Sequence, residues 1–183
     1  MSIWGKLKSK KEYLSLSVSQ TKNLAKFIAR EVLKKKETKR AFLIGLEGDL
    51  GGGKTTFLQG FAKGLGIREK ILSPTFIVLK KFQIPNPKSN PASAGQNSKY
   101  RFKYFYHLDC YRLEKPEEIL ALGFEEIISN PKNIVAIEWS DKIKKICPRF
   151  DIMIKFEFKG KEKRKIIVSF IPHQKTPSFR GHE

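Results

Sequence analysis

The sequence predicts an α/β fold, a three-layer sandwich with a mixed central sheet, a β-hairpin insertion and a C-terminal β-hairpin. Three observations predict it. Ala41-Phe42-Leu43-Ile44-Gly45-Leu46 is a short, unbroken apolar run of the buried-strand kind. Behind it, a glycine-rich loop over 48–56 leads into Phe57, Leu58, Phe61, Ala62 and Leu65, which recur at helical spacing until Gly64 and Gly66 stop them. Near the end, two alternating runs, 152–158 and 164–170, flank Lys159-Gly160-Lys161 and read as a hairpin with glycine at its turn.

The remaining elements follow in chain order. Residues 1–12 read as a flexible basic end, and 13–171 as a single domain. Ser17 or Ser19 can cap a helix over about 20–35, with Leu24, Phe27, Ile28 and Val32 on one face. After the loop helix, Phe76 to Phe82 reads as a strand, and Phe102 to Leu108 as its hairpin partner. Between them, 83–100 carries Pro85, Pro87 and Pro91 among serines and asparagines, so it is expected to be a disordered hairpin tip without a part in chemistry. Pro116 opens a short helix that Gly123 ends, and Ile134-Val135-Ala136-Ile137-Glu138 is another buried-type strand. Residues 172–183 read as a tail.

Composition narrows the function classes. With 40% apolar residues in 183 the chain can bury a core, and no apolar run approaches the ~20 residues of a membrane span. Cys110 and Cys147 lack metal-type spacing and read as reduced thiols, so a cytoplasmic protein without a membrane association is expected. The net charge is +19, yet 108–141 is net acidic. Such a basic surface suits nucleic acid or an acidic partner protein, and it suits a lysine-rich solubilising coat equally well.

Gly48-Asp49-Leu50-Gly51-Gly52-Gly53-Lys54-Thr55 satisfies G-x-x-x-x-G-K-[ST] at every fixed position, and a second threonine, Thr56, follows. The glycines let successive backbone N–H groups turn inward on a polyphosphate, with a helix N-terminus behind them. Lys54 is placed for the β/γ-phosphates and the Thr55 hydroxyl for Mg²⁺. The chain is therefore read as a P-loop protein that binds a nucleoside triphosphate with Mg²⁺, with Asp49 to Thr56 lining the phosphates.

Such a site needs acids at neighbouring strand ends. Two apolar runs end that way: Phe105-Tyr106-His107-Leu108 in Asp109, and Ile134 to Ile137 in Glu138. Thr75, after Ser73-Pro74, is open between a γ-phosphate sensor and a turn residue. Trp139 is open between packing on the sheet and stacking on a base or a partner. His107 reads as a packing or surface residue. Arg112, Arg164 or a group from a partner are the candidates for an arginine finger.

Taken in order, the phosphate loop, Ser73-Pro74-Thr75-Phe76, His107-Leu108-Asp109-Cys110-Tyr111-Arg112-Leu113, Leu122-Gly123-Phe124-Glu125-Glu126 and Ile137-Glu138-Trp139-Ser140 resemble the TsaE (YjeE) family of bacterial P-loop ATPases. The resemblance spans about 14–170, without the 83–100 insertion. It implies an ATPase, weak alone, that works with TsaD and TsaB homologues in threonylcarbamoyl modification of adenosine beside the tRNA anticodon. It further implies Asp109 as the acid supporting hydrolysis, Glu138 at the Mg²⁺, Thr75 in a switch segment and Trp139 near the nucleotide, with a base contact near Val18 to Thr21. Two other readings compete: a small-molecule kinase on the same fold, which usually carries an arginine-rich lid that 83–100 lacks, and a nucleotide-gated RNA-binding module.

Overall fold

A computed structural model describes residues 10–35, 39–72, 79–85 and 101–171. Its centre is a seven-stranded sheet. The strands are β1 (Lys11–Ser15), β2 (Phe42–Gly48), β3 (Leu79–Gln83), β4 (Tyr104–Asp109), β5 (Asn133–Glu138), β6 (Ile152–Phe158) and β7 (Arg164–Phe170). Across the sheet they run β1-β7-β6-β2-β5-β4-β3. The four in the middle, β6, β2, β5 and β4, are parallel, while β3 joins β4, and β7 joins both β6 and β1, antiparallel. The sheet is thus mixed, as expected.

The central strands owe their apolar runs to cover on both faces. Phe42, Ile44 and Leu46 of β2, Ile134 and Ala136 of β5 and Phe105 of β4 pack on helices α1 (Val18–Leu33) and α2 (Lys54–Gly64). Leu43, Val135, Ile137, Tyr106 and Leu108 face the other way, under α3 (Phe124–Ser129) and the 3₁₀ turns Pro116–Leu122 and Ser140–Ile143. Ser17 caps α1 by accepting from the Gln20 N–H at 3.2 Å. The two long helices lie very close, because a Cβ at Gly60 would fall 2.4 Å from the Lys22 carbonyl oxygen. Only glycine fits there.

Several boundaries differ from the sequence reading. β1 starts at Lys11, so two residues assigned to the flexible end belong to the sheet, paired with β7. Gln83 closes β3, and Ile84 is buried and donates to Lys103 at 2.9 Å, so the insertion starts later than residue 83. The helix expected after Pro116 is a 3₁₀ turn, and α3 after Gly123 was not anticipated. The terminal hairpin occupies its expected residues. Positions 76–78, the hairpin tip beyond 85 and the 172–183 tail lie outside the described residues. Among the described residues no helix is long and apolar enough to cross a membrane.

Candidate functional site

The parallel order puts the ends of β2, β4 and β5 at one edge of the sheet, with α2 starting beside them. The loop between β2 and α2 turns sharply at Gly48, whose φ is +133° and where a Cβ would lie 2.5 Å from the Phe156 carbonyl oxygen. Gly52 donates back to the Asp49 carbonyl at 3.0 Å, and Gly53 (φ +105°) starts the helix without a side-chain cap. The open N-terminal amides of α2 therefore face the loop's concavity.

Lys54 is almost fully buried. Its Nζ donates to the carbonyls of Gly48 (2.6 Å) and Asp49 (2.9 Å) and sits 3.8 Å from the centre of the Trp139 ring. Burial pushes its pKa down, and Glu138, Asp109, Asp49 and Asp141 pull it back up. Trp139 itself has φ +57°, the one non-glycine residue in the left-handed region among those described. That strained backbone turns its ring over the loop, 5.0 Å from the ring of Tyr111.

Asp109 and Glu138 are register partners, the last residues of adjacent strands. Glu138 is buried and accepts from the Thr55 hydroxyl at 3.0 and 3.1 Å. Its Oε1 also lies 3.0 Å from His107 Nε2. Asp109 Oδ1 accepts from the Tyr111 N–H at 3.0 Å, which fixes the turn after β4. A cavity of about 160 Å³ runs between the loop, these two acids, Tyr111 and Trp139. A wider groove of about 620 Å³ over β6 and β7 contains none of the loop residues.

The donors suit a magnesium ion that arrives with a nucleotide. Among the described residues no three His, Cys, Asp or Glu side chains converge into a metal cage. Mg²⁺ typically takes only one or two protein ligands and completes its shell with water and phosphate oxygens. The Thr55 hydroxyl and the Glu138 carboxylate, already in contact beside Lys54, are that kind of pair.

Most of the residues singled out from the sequence therefore meet. Leu50 to Thr56, Asp109, Glu138 and Trp139 line one cavity, and Asp49 contributes its backbone oxygen to Lys54. Thr75 lies outside the described residues, and Arg112 does not line the cavity. Of the two readings left open for His107, packing holds and surface does not: it is fully buried, against Glu138. It stands two residues before Asp109, hence on the same face of β4, and that spacing is the signal that could have found it. Arg164 does not line the cavity; its guanidinium is turned onto the loop's own carbonyls, at 3.1 Å from those of Gly51 and Gly52.

The family model described as "Threonylcarbamoyl adenosine biosynthesis protein TsaE" matches residues 15–166. A tRNA threonylcarbamoyladenosine biosynthesis protein TsaE from Haemophilus influenzae is 35% identical over 128 residues, 70% of each chain. Its namesake from Bacillus subtilis is 32% identical over 155 residues, covering 85% of this chain and 82% of the relative. The crystal structure of Bacillus subtilis YdiB superposes with a TM-score of 0.63 at 26% identity, over 90% of this chain and 87% of that one.

Proposed function

The chain belongs to the TsaE family, and from that premise we propose that it is a Mg²⁺-dependent ATPase of the cytoplasm, acting with TsaD and TsaB homologues in tRNA threonylcarbamoyladenosine biosynthesis. One observation carries the proposal: Thr55 of the phosphate loop touches Glu138 across the cavity that Lys54 and Asp109 also line. Loop, cation, hydroxyl and two strand-end acids are the parts a P-loop hydrolase requires.

In this reading the loop amides and the start of α2 hold the β- and γ-phosphates. Phosphate oxygens replace the Gly48 and Asp49 carbonyls as acceptors for Lys54. Thr55 and Glu138 would hold Mg²⁺, which would supply positive charge against the phosphates. His107 holds the carboxylate of Glu138 from the strand side. Asp109 orients the attacking water and takes up its proton as a new bond forms to the γ-phosphorus and the bond to the β–γ bridging oxygen breaks, leaving ADP and phosphate.

Weak activity in isolation fits the engagement of Arg164. In this reading its guanidinium, held by backbone carbonyls, stays on the loop and the hairpin instead of turning to a γ-phosphate. A docked partner would supply or rearrange the missing charge. The +19 surface adds a long-range attraction for tRNA. The test is ATP turnover by the chain alone and with the TsaD–TsaB pair. Turnover is expected to rise on adding the pair and to vanish in Lys54→Ala and Asp109→Ala, and no partner-dependent rise would overturn the proposal.

A further inference from the structure

We propose that Arg164 is a positioning residue that sets the phosphate loop for its ligand from behind, by holding its carbonyls outward. The inference rests on the reading of 48–55 as a phosphate loop. An amide-lined anion site forms only when successive N–H groups turn inward, which obliges the matching C=O groups to point out. Those outward carbonyls need partners, and Arg164 supplies them. Its Nε donates to the Gly52 oxygen and its Nη2 to the Gly51 oxygen, both at 3.1 Å. Nη1 reaches the carbonyls of Gly160 (3.0 Å) and Lys163 (2.9 Å), and the guanidinium lies 4.3 Å from the centre of the Phe158 ring. A planar fork clamped in this way has one orientation available.

The fold makes this contact available. Gly48 pairs with Phe156, so β6 runs beside the loop's entrance. Phe158 pairs with Arg164 across the hairpin, which returns the arginine to the level of the loop. Arg164 pairs in turn with Ser15 of β1, so the phosphate loop is tied through one side chain to the outer edge of the sheet. A brace of this kind acts on nucleotide affinity. An arginine finger acts on the transition state and leaves the product complex untouched.

The experiment titrates the full chain with a fluorescent ADP and a fluorescent ATP analogue in Mg²⁺ and measures kcat and KM with the TsaD–TsaB pair present. Arg164→Gln is expected to bind ADP and the ATP analogue about tenfold more weakly, the size expected for losing a charge-assisted pair of hydrogen bonds. KM should rise by the same factor, with kcat within about twofold. Arg164→Lys, which keeps stem and charge but not the fork, should fall between it and the unmodified chain. Lys165→Gln, one residue on and paired with Glu12, should leave affinity unchanged. Unchanged ADP affinity in Arg164→Gln, an equal loss in Lys165→Gln, or a fallen kcat with ADP affinity intact would each overturn the proposal. If Arg164→Gln melts before it can be titrated, Arg164→Lys decides by the same readout. Absence of any ADP binding by the unmodified chain would instead remove the phosphate-loop reading, and the brace with it.

Discussion

Replacing Glu138 by glutamine separates the metal role of this residue from its structural one. The residue is 2% exposed, and its carboxylate meets the Thr55 hydroxyl at 3.0 and 3.1 Å and His107 Nε2 at 3.0 Å. Glutamine has the same length and keeps one oxygen for His107, while its amide group can donate to a rotated Thr55 hydroxyl. The hydrogen-bond count is preserved, so stability should change by no more than about 1 kcal/mol, or about 4 °C in Tm for a chain of this size. The lost negative charge has no such replacement. A unit charge pair at about 4 Å is worth up to about 4 kcal/mol near a protein surface, and phosphates and water recover part of that for a magnesium ion. A net loss of about 2 kcal/mol corresponds to a roughly thirtyfold weaker Mg²⁺ response. The assay is ADP affinity across a Mg²⁺ titration, alongside a thermal melt. A Mg²⁺ midpoint that stays in place in Glu138→Gln, with the fold intact, would refute the reasoning.

Two further outcomes follow from groups outside the site. Asp151 Oδ2 accepts from the Leu43 N–H at 2.8 Å and from Arg40 at 3.1 Å, so Asp151→Ala orphans a buried donor and should cost about 3 kcal/mol, read as a Tm lower by about 6–12 °C. Burial pushes the thiols of Cys110 and Cys147 up to about 12, above their ordinary value near 9.0. Above that ordinary value the unfolded chain releases these protons and the folded chain keeps them, so stability is full below about pH 9 and is lost as pH rises toward 12. Urea melts at pH 8 and pH 10.5 should show the fall, and a double Cys→Ser chain should show less of it.

The fold was legible wherever one apolar pattern ran for a full element. β2, β5 and the terminal hairpin needed nothing beyond their own residues, since buried parallel strands and alternating antiparallel ones leave distinct patterns. β1 was missed because its five residues begin with charges, and its partner β7 lies about 150 positions away. α3, six residues long, is too short for helical periodicity to show. Within the site, the loop and the strand-end acids could be read locally. For His107 the sequence leaves packing and surface open, because β4 is buried on both faces and alternation does not turn a residue outward there. Its partner was legible only with the register that sets His107 beside Ala136, one step before Glu138 on the same face. The Arg164 contact needed more: the position of β6 beside β2 and the hairpin register together.

The most direct measurement is a crystal structure of the chain with a non-hydrolysable ATP analogue and Mn²⁺ in place of Mg²⁺, read by the anomalous signal of the metal. The expected result is one peak about 2.1 Å from the Thr55 hydroxyl, beside Glu138, with the triphosphate against the loop amides and Lys54 released from the Gly48 and Asp49 carbonyls. A metal bound away from Thr55 and Glu138, or a nucleotide seated outside the loop, would contradict the account.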